Sequence, residues 1–333
     1  MASPMIPPAT AADFLARNGW RGARIEPLAG DASFRRYFRV IDEAGGRQAV
    51  LMDAPPEHEN VRPFLAISDH LITHGLRAPV TLARDLDLGL LLLEDFGDRR
   101  VNPVLAGEPQ LEQAVYTRAV DTLAELHRLP LPDLQPYDEA VLLREARLFP
   151  EWYAPAAGLS VDVGAHDDAW RAAWAGVLAR SEAAPVLVLR DYHADNLMLL
   201  DDGGLGLLDF QDALAGHPAY DLVSLLQDAR RHVSSELEQA MIDRYLDRAK
   251  VADRATFLAD YAVIGAQRHA KVLGIFTRLW KRDGKPHYLA FQPRNWALME
   301  RSLAHPALNR VRAWFDANVP DDARAAAFAD RAA

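Results

Sequence analysis

The sequence predicts an α+β fold in two lobes, a small antiparallel β-lobe with one helix followed by a larger, mainly helical lobe. Three observations predict it. Residues 23–93 hold short aromatic and β-branched runs separated by turn residues. From Gln110 onward apolar residues recur at helical spacing, as in Leu111, Val115, Ala119, Leu123 and Leu126. Only two short β-like runs, 186–189 and 205–208, interrupt that helical half.

Residues 11–20 read as a short helix closed by Gly19. Residues 33–40 (Ser-Phe-Arg-Arg-Tyr-Phe-Arg-Val) read as a strand, 42–46 as a turn and 48–52 as the returning strand of a hairpin. Residues 61–74 place Phe64, Ile67, Leu71 and Ile72 at helical spacing, with Gly75 behind them as a cap. Residues 80–83 and 88–93 read as two further strands joined by the polar turn 84–87. After the helix at 110–129, helical patterns recur near 168–180, 220–230, 234–249, 253–274 and 295–317. The Ala-rich end, 322–333, reads as a fraying helix. The expected boundary divides the chain into a β-rich lobe, 1–96, and a helical lobe, 97–333.

Composition removes several classes of function. The 333 residues include no cysteine, which excludes a disulfide framework, a thiolate metal site and a thiol nucleophile. With 37 Lys+Arg against 47 Asp+Glu the net charge is −10, which argues against nucleic acid as a partner. No apolar run approaches the ~20 residues of a membrane helix. The N-terminus lacks the basic and apolar regions of a secretory signal, so a cytoplasmic location is expected, with no membrane partner. The cations are unevenly chosen: Lys250, Lys271, Lys281 and Lys285 are the only lysines, and the first 249 residues contain none.

The stretch from Val186 to Leu200 carries the chemistry. An apolar strand opens into Arg190-Asp191, a polar loop runs to Asn196, and a further short strand ends in Asp209-Phe210. A carboxylate that takes the proton of an attacking hydroxyl, with an amide oxygen and a second carboxylate suited to Mg²⁺, is the set phosphoryl transfer needs. Arg190-Asp191 with Asn196 fits the pattern R-D-x-x-x-x-N, and Asp209-Phe210-Gln211 stands in the place of D-F-G. A rival reading takes the alternating Asp191, His193 and Asp195 as ligands of a hydrolase metal centre.

These motifs resemble the aminoglycoside phosphotransferase/choline kinase superfamily, which shares the two-lobed protein-kinase-like fold. The element Gly216-His-Pro-Ala-Tyr-Asp-Leu222 is similar to the family's G-x-P-x-Y-D-L, in which Asp221 is structural and is expected to cap the helix it opens. The segments Gly30 to Val40, Met52-Asp-Ala-Pro-Pro56, Asp209-Phe-Gln-Asp212 and Gly274 to Leu279 resemble one branch, the bacterial anomeric kinases of N-acetylmuramate and N-acetylglucosamine in cell-wall recycling. The resemblance implies an ATP-dependent sugar 1-kinase using Mg²⁺. In it, Asp191 is catalytic, Asn196 and Asp209 hold the metal, and residues 1–96 bind nucleotide up to an interlobe hinge at Glu94 to Phe96. An aminoglycoside- or choline-type phosphotransferase, or a catalytically silent nucleotide-binding module, are the alternatives.

Two departures stand out. Leu189-Arg190 replaces the family's His-Gly, and Met52 falls where the template strand carries its ATP lysine. With no lysine in that lobe, Arg35 or Arg36 is expected on the phosphates, since a guanidinium fork binds phosphate well. Ser33 of the same loop, with Glu94 and Phe96, completes the expected nucleotide-binding set. His193 is expected to be structural. Arg268, beside His269 and Lys271, reads either as part of a solvated helix face or as the ligand of an acidic substrate group.

Overall fold

The computed structural model describes residues 5–28, 34–324 and 328. Packing divides the chain into two compact units, residues 1–107 with 195–212, and residues 108–194 with 213–333. The division expected after residue 96 rests on chain order, whereas this one follows packing, and it gives residues 97–107 and 195–212 to the sheet-bearing unit.

In the first unit, α1 (Ala11–Arg17) precedes β1 (Arg24–Pro27), β2 (Arg36–Asp42) and β3 (Arg47–Asp53). Then follow α2 (Arg62–Thr73), β4 (Thr81–Asp85), β5 (Leu90–Glu94) and α3 (Val101–Gly107). The five strands form one antiparallel sheet in the order β1-β2-β3-β5-β4. Strand alternation sorts its residues. Phe38, Val40, Ala49, Leu51, Leu90 and Leu92 pack with Phe14 and Leu15 of α1 and with Trp20. Arg36 shares the parity of Phe38 and Val40, while Arg35 precedes the strand with the parity of Tyr37 and Arg39. Residues 195–212 join this unit as a hairpin of β7 (Leu197–Leu199) and β8 (Leu205–Leu207). Leu199 N–H donates to Arg99 O at 2.8 Å and Leu207 N–H to Arg77 O at 2.7 Å.

The second unit runs through α4 (Glu112–Leu126), α5 (Glu139–Ala146), a π-helix (Phe149–Tyr153), α6 (Ala154–Ala156) and α7 (Val163–Ala183). The strands β6 (Val186–Val188) and β9 (Leu214–Gly216) pair antiparallel. Helices α8 (Ala219–Leu226), α9 (Ser235–Arg248), α10 (Arg254–Asp283), α11 (Gln292–Leu303) and α12 (Asn309–Asn318) complete it. Its core is aromatic: Phe149 stacks on Tyr153 at 4.8 Å, and Trp296 donates its indole N–H to Tyr153 at 2.7 Å.

Several elements differ from expectation for identifiable reasons. The helix expected at 253–274 runs on to Asp283, where Gly284 in the left-handed region (φ 64) ends it. The glycine at 274 is no stop signal; it allows close approach, because a Cβ there would lie 2.3 Å from the Leu148 carbonyl. The helix expected at 295–317 is two, separated at Pro306. Helices α3, α5 and α6, the π-helix and the strands β1 and β9 are additional to the elements anticipated. Most of the Ala-rich end lies outside the described residues. Among the described residues no helix is long and apolar enough to cross a membrane.

Candidate active site

Asp191 belongs to the larger unit. The strand β6 delivers it, and the backbone turns sharply at Arg190, whose φ of 71 is a conformation glycine adopts at no cost. This explains the family's glycine at that position. Here two anchors hold an arginine in it. Asp221, fully buried, accepts the N–H of Leu189 at 2.6 Å and of Arg190 at 2.8 Å. The Arg190 guanidinium pairs with buried Glu145. The expected capping role of Asp221 is thereby corrected. Helix α8 starts earlier, at Ala219, with no side-chain cap, and the Asp221 carboxyl clamps the loop in front of Asp191 instead. Burial pushes that carboxyl up to about 7, against its two backbone hydrogen bonds.

Behind the loop lies a buried ionic cluster that the sequence did not announce. Glu145 also accepts from Lys271 Nζ at 2.9 Å, from the Tyr137 hydroxyl and from Gln267 Nε2 at 3.3 Å. Lys271 donates to the Tyr220 hydroxyl at 3.1 Å. Burial alone would raise the Glu145 carboxyl, but Lys271 and Arg190 bring it down to about 2. Burial likewise works against the charge on Asp191, and nearby cations, led by Lys271 with Arg268 and Arg190 behind it, hold its carboxyl below the usual range. Those cations favour the ionised form of Asp191. The signals for this cluster are weak: Lys271 stands out only as one of four lysines and as a neighbour of Arg268, and Glu145 lies on an unanticipated helix.

Arg268, His269 and Lys271 are buried, so they do not form a solvated face. Arg268 Nη2 donates to Ser224 Oγ at 2.8 Å, and its Nη1 has no partner among the described residues. His193 is buried too. Burial pushes its imidazole down, and its Nδ1 makes no hydrogen bond among the described residues.

Asn196 and Asp209 belong to the smaller unit, at opposite ends of the β7–β8 hairpin. Leu208 N–H donates to Asn196 O at 3.0 Å, which closes the hairpin and brings the two side chains together. Asn196 Nδ2 lies 3.3 Å from Asp209 Oδ2, and Gln211 Nε2 donates to Asp209 Oδ1 at 2.9 Å. Asp209 is itself in the left-handed region (φ 58), and the next side chain, Phe210, is buried against Phe64 of α2 with ring centres 5.0 Å apart. The Asn196 amide and the Asp209 carboxylate lie side by side, and their oxygens are hard donors, which fits Mg²⁺ with water and phosphate oxygens as its other ligands. Among the described residues no three His, Cys, Asp or Glu side chains gather as a metal site, so the hydrolase reading of Asp191, His193 and Asp195 gains no support. Asp195 instead accepts from Asn102 Nδ2 at 2.9 Å.

The two arginines of the lysine-free lobe part company. Arg35 is buried, with Nη2 3.8 Å from Asp209 and Nε 3.9 Å from Glu59. Arg36 turns to the other face, donating to Asp53 at 2.7 Å and to Ile6 O at 3.1 Å. Arg39 pairs with Asp95 at 2.6 Å. Glu94 accepts from Val80 N–H at 3.3 Å, and Phe96 is half-buried with its ring over Gly206, where a Cβ would come within 2.5 Å of it. Met52, at the lysine position, is fully buried between Tyr37 and Leu91. Ser33 lies outside the described residues.

A five-stranded lobe, a D-x-x-x-x-N loop and a hairpin-borne Asp-Phe together define a kinase-like phosphotransferase. Residues 24–258 match the phosphotransferase enzyme family, and the chain belongs to that family. It is 39% identical to an N-acetylmuramate/N-acetylglucosamine kinase of Caulobacter vibrioides, over 95% of this chain and 98% of that protein. It is 40% identical to a kinase of the same name from Pseudomonas aeruginosa, over 85% of this chain and 84% of that protein. Among solved structures it resembles a choline/ethanolamine kinase family protein from Mesorhizobium loti (TM-score 0.62, 16% identity, 92% of this chain and 96% of that one). An ADP-bound aminoglycoside phosphotransferase is also similar (TM-score 0.57, 13% identity, 87% and 97%). These two likenesses establish the fold.

Proposed function

We propose that this enzyme transfers the γ-phosphoryl group of ATP to the anomeric C1 hydroxyl of N-acetylmuramate and N-acetylglucosamine, in the cytoplasm, as a step of peptidoglycan recycling. The observation that carries the reading is a complete phosphoryl-transfer set in a chain about two-fifths identical to kinases of that name. That set is Asp191 ionised in its clamped loop, and Asn196 beside Asp209. Residues 1–96 are assigned to nucleotide binding and 97–333 to catalysis and the acceptor.

Asp191 orients the C1 hydroxyl and accepts its proton while the hydroxyl oxygen bonds to the γ-phosphorus and the bond to the bridging oxygen breaks, releasing ADP. An anomeric hydroxyl is more acidic than an ordinary alcohol, so a carboxylate suffices as base. Asn196 and Asp209 would hold Mg²⁺, which supplies charge neutralisation across the phosphates when bound. Arg35 is assigned to the phosphates, because it faces Asp209 whereas Arg36 faces Asp53. Glu94 to Phe96 and Ser33 complete the nucleotide site. Arg268 is assigned to an acidic group of the acceptor.

A coupled ADP-release assay over amino sugars, choline and aminoglycosides tests this. Turnover with the amino sugars, yielding a sugar 1-phosphate by ³¹P NMR, is expected. Activity confined to an aminoglycoside overturns the assignment, and Mg-ATP binding without transfer to any acceptor makes the protein a silent binding module. Asp191→Asn is expected to lower kcat by about 10²–10⁴ while sparing nucleotide binding.

A further inference from the structure

Helix α10 sets Arg268, Val272 and Phe276 along one side at four-residue intervals. Ala229 packs against Val272 and Phe276, so the chain leaving α8 follows that side. Arg230 is thereby laid over Phe276, its guanidinium 5.4 Å from the ring centre, with its backbone N–H fixed by Asp228 Oδ1 at 2.8 Å. Arg268 is 5% exposed, tied by one nitrogen to Ser224 and with the other, Nη1, unpartnered. Among the described residues neither guanidinium pairs with a carboxylate, whereas Arg147, Arg180 and Arg190 of the same unit each do.

Two such cations near the Asp191 loop form no ion pair with a carboxylate among the described residues, and a planar fork is shaped for one. Their nearness to the loop has two supports. Ser224 Oγ, which holds Arg268, also donates to Arg190 O at 3.4 Å. Both guanidinia also act electrostatically on the His193 imidazole, two residues beyond Asp191. Asp228 Oδ2 is unpartnered as well and forms no ion pair with either arginine, so it remains an acceptor for a sugar hydroxyl.

Resting on the function proposed above, we infer that Arg230 and Arg268 jointly bind a carboxylate carried by the acceptor sugar. N-acetylmuramate bears one, on the lactyl ether at O3, a few ångströms from the C1 hydroxyl presented to Asp191. N-acetylglucosamine has a plain hydroxyl there. Arg230 is thus the residue that lets the enzyme tell the two sugars apart, with Phe276 fixing the plane of its fork.

The test is a steady-state comparison of the two sugars at saturating Mg-ATP for the unsubstituted enzyme, Arg230→Gln and Arg230→Lys. In Arg230→Gln the ratio of kcat/KM for N-acetylmuramate to that for N-acetylglucosamine is expected to fall about tenfold, mainly through KM, as for loss of one charge-assisted hydrogen bond. Arg230→Lys, which keeps charge but not the fork, recovers part of the ratio and gives the same reading if the glutamine variant folds poorly. An unchanged ratio, or a rise in KM for ATP instead, overturns this inference alone. Turnover of neither sugar by the unsubstituted enzyme overturns the proposed function and this inference with it.

Discussion

Asp221 accepts the backbone N–H of Arg190 at 2.8 Å from a position fully shielded from water. With the companion bond from Leu189 N–H at 2.6 Å, one carboxyl fixes both residues that precede Asp191. The loop's unusual turn at Arg190 is therefore held from behind, by a residue 31 positions along the chain.

Removing that carboxyl strands two buried donors. Asp221→Ala is expected to destabilise the protein by about 2–6 kcal/mol, at about 1–3 kcal/mol for each unpaired group, and to lower kcat as Asp191 loses its fixed position. Urea unfolding and initial rates check both. A pH signature follows. Burial pushes Asp221 up to about 7, whereas the unfolded carboxyl titrates near ~3.9. Between those values the native state holds a proton the unfolded chain has released, so this group's contribution is full below ~4 and is lost as pH rises through about 7. Asp221→Asn should flatten that decline. An identical pH dependence in the variant contradicts it.

Arg35 and Arg36 are adjacent and should fail differently. Arg35→Ala removes the cation facing Asp209 and is expected to raise KM for ATP and lower kcat with modest effect on folding. Arg36→Ala leaves the nearly buried Asp53 carboxylate without its partner. Loss of stability, with little change in KM for ATP, is expected there. Nucleotide titration and thermal unfolding of both variants separate the two, and the reverse pattern would exchange their roles.

Lys271 is the leading cation holding the Asp191 carboxyl down. The role proposed for Asp191 needs that carboxylate ionised, so the acid limb of kcat/KM should shift to higher pH in Lys271→Met. Lys271→Arg should restore it, since charge rather than shape sets the shift. A pH–rate profile with an unmoved acid limb would leave Lys271 a purely structural partner of Glu145.

Gly274→Ala tests the packing of α10. The added methyl would meet Leu148 backbone atoms, which cannot yield as a flexible side chain does. A cost of about 1–3 kcal/mol is expected, read as a lowered Tm. An unchanged Tm would mean that the helix can shift away from Leu148.

Reading the chain in order found the β2–β3 hairpin, α2, β5 and the catalytic-loop motif, because each depends on local patterns: alternation, helical spacing, turn residues and fixed offsets. Gly274 shows where local reading misleads. A glycine late in a helical pattern looks like a terminus, but its reason lies on another element, at Leu148. Helix α5 was missed for a related cause, being eight residues long and flanked by irregular chain, yet it supplies Glu145, the centre of the buried ion cluster.

The sequence by itself determined the fold class, the motif that singles out Asp191, Asn196 and Asp209, and the absence of a lysine from the first 249 residues. Tertiary structure alone decided which neighbours those groups acquire. Strand parity sends Arg35 toward Asp209 and Arg36 toward Asp53, although nothing in their composition distinguishes them. Long-range packing aims Asp221 at the loop rather than at its own helix, and it buries Lys271 where its charge acts on Asp191. The physical reason is that hydrogen bonds and electrostatic fields depend on distance through space, and residues far apart along a chain have no set distance until packing fixes one.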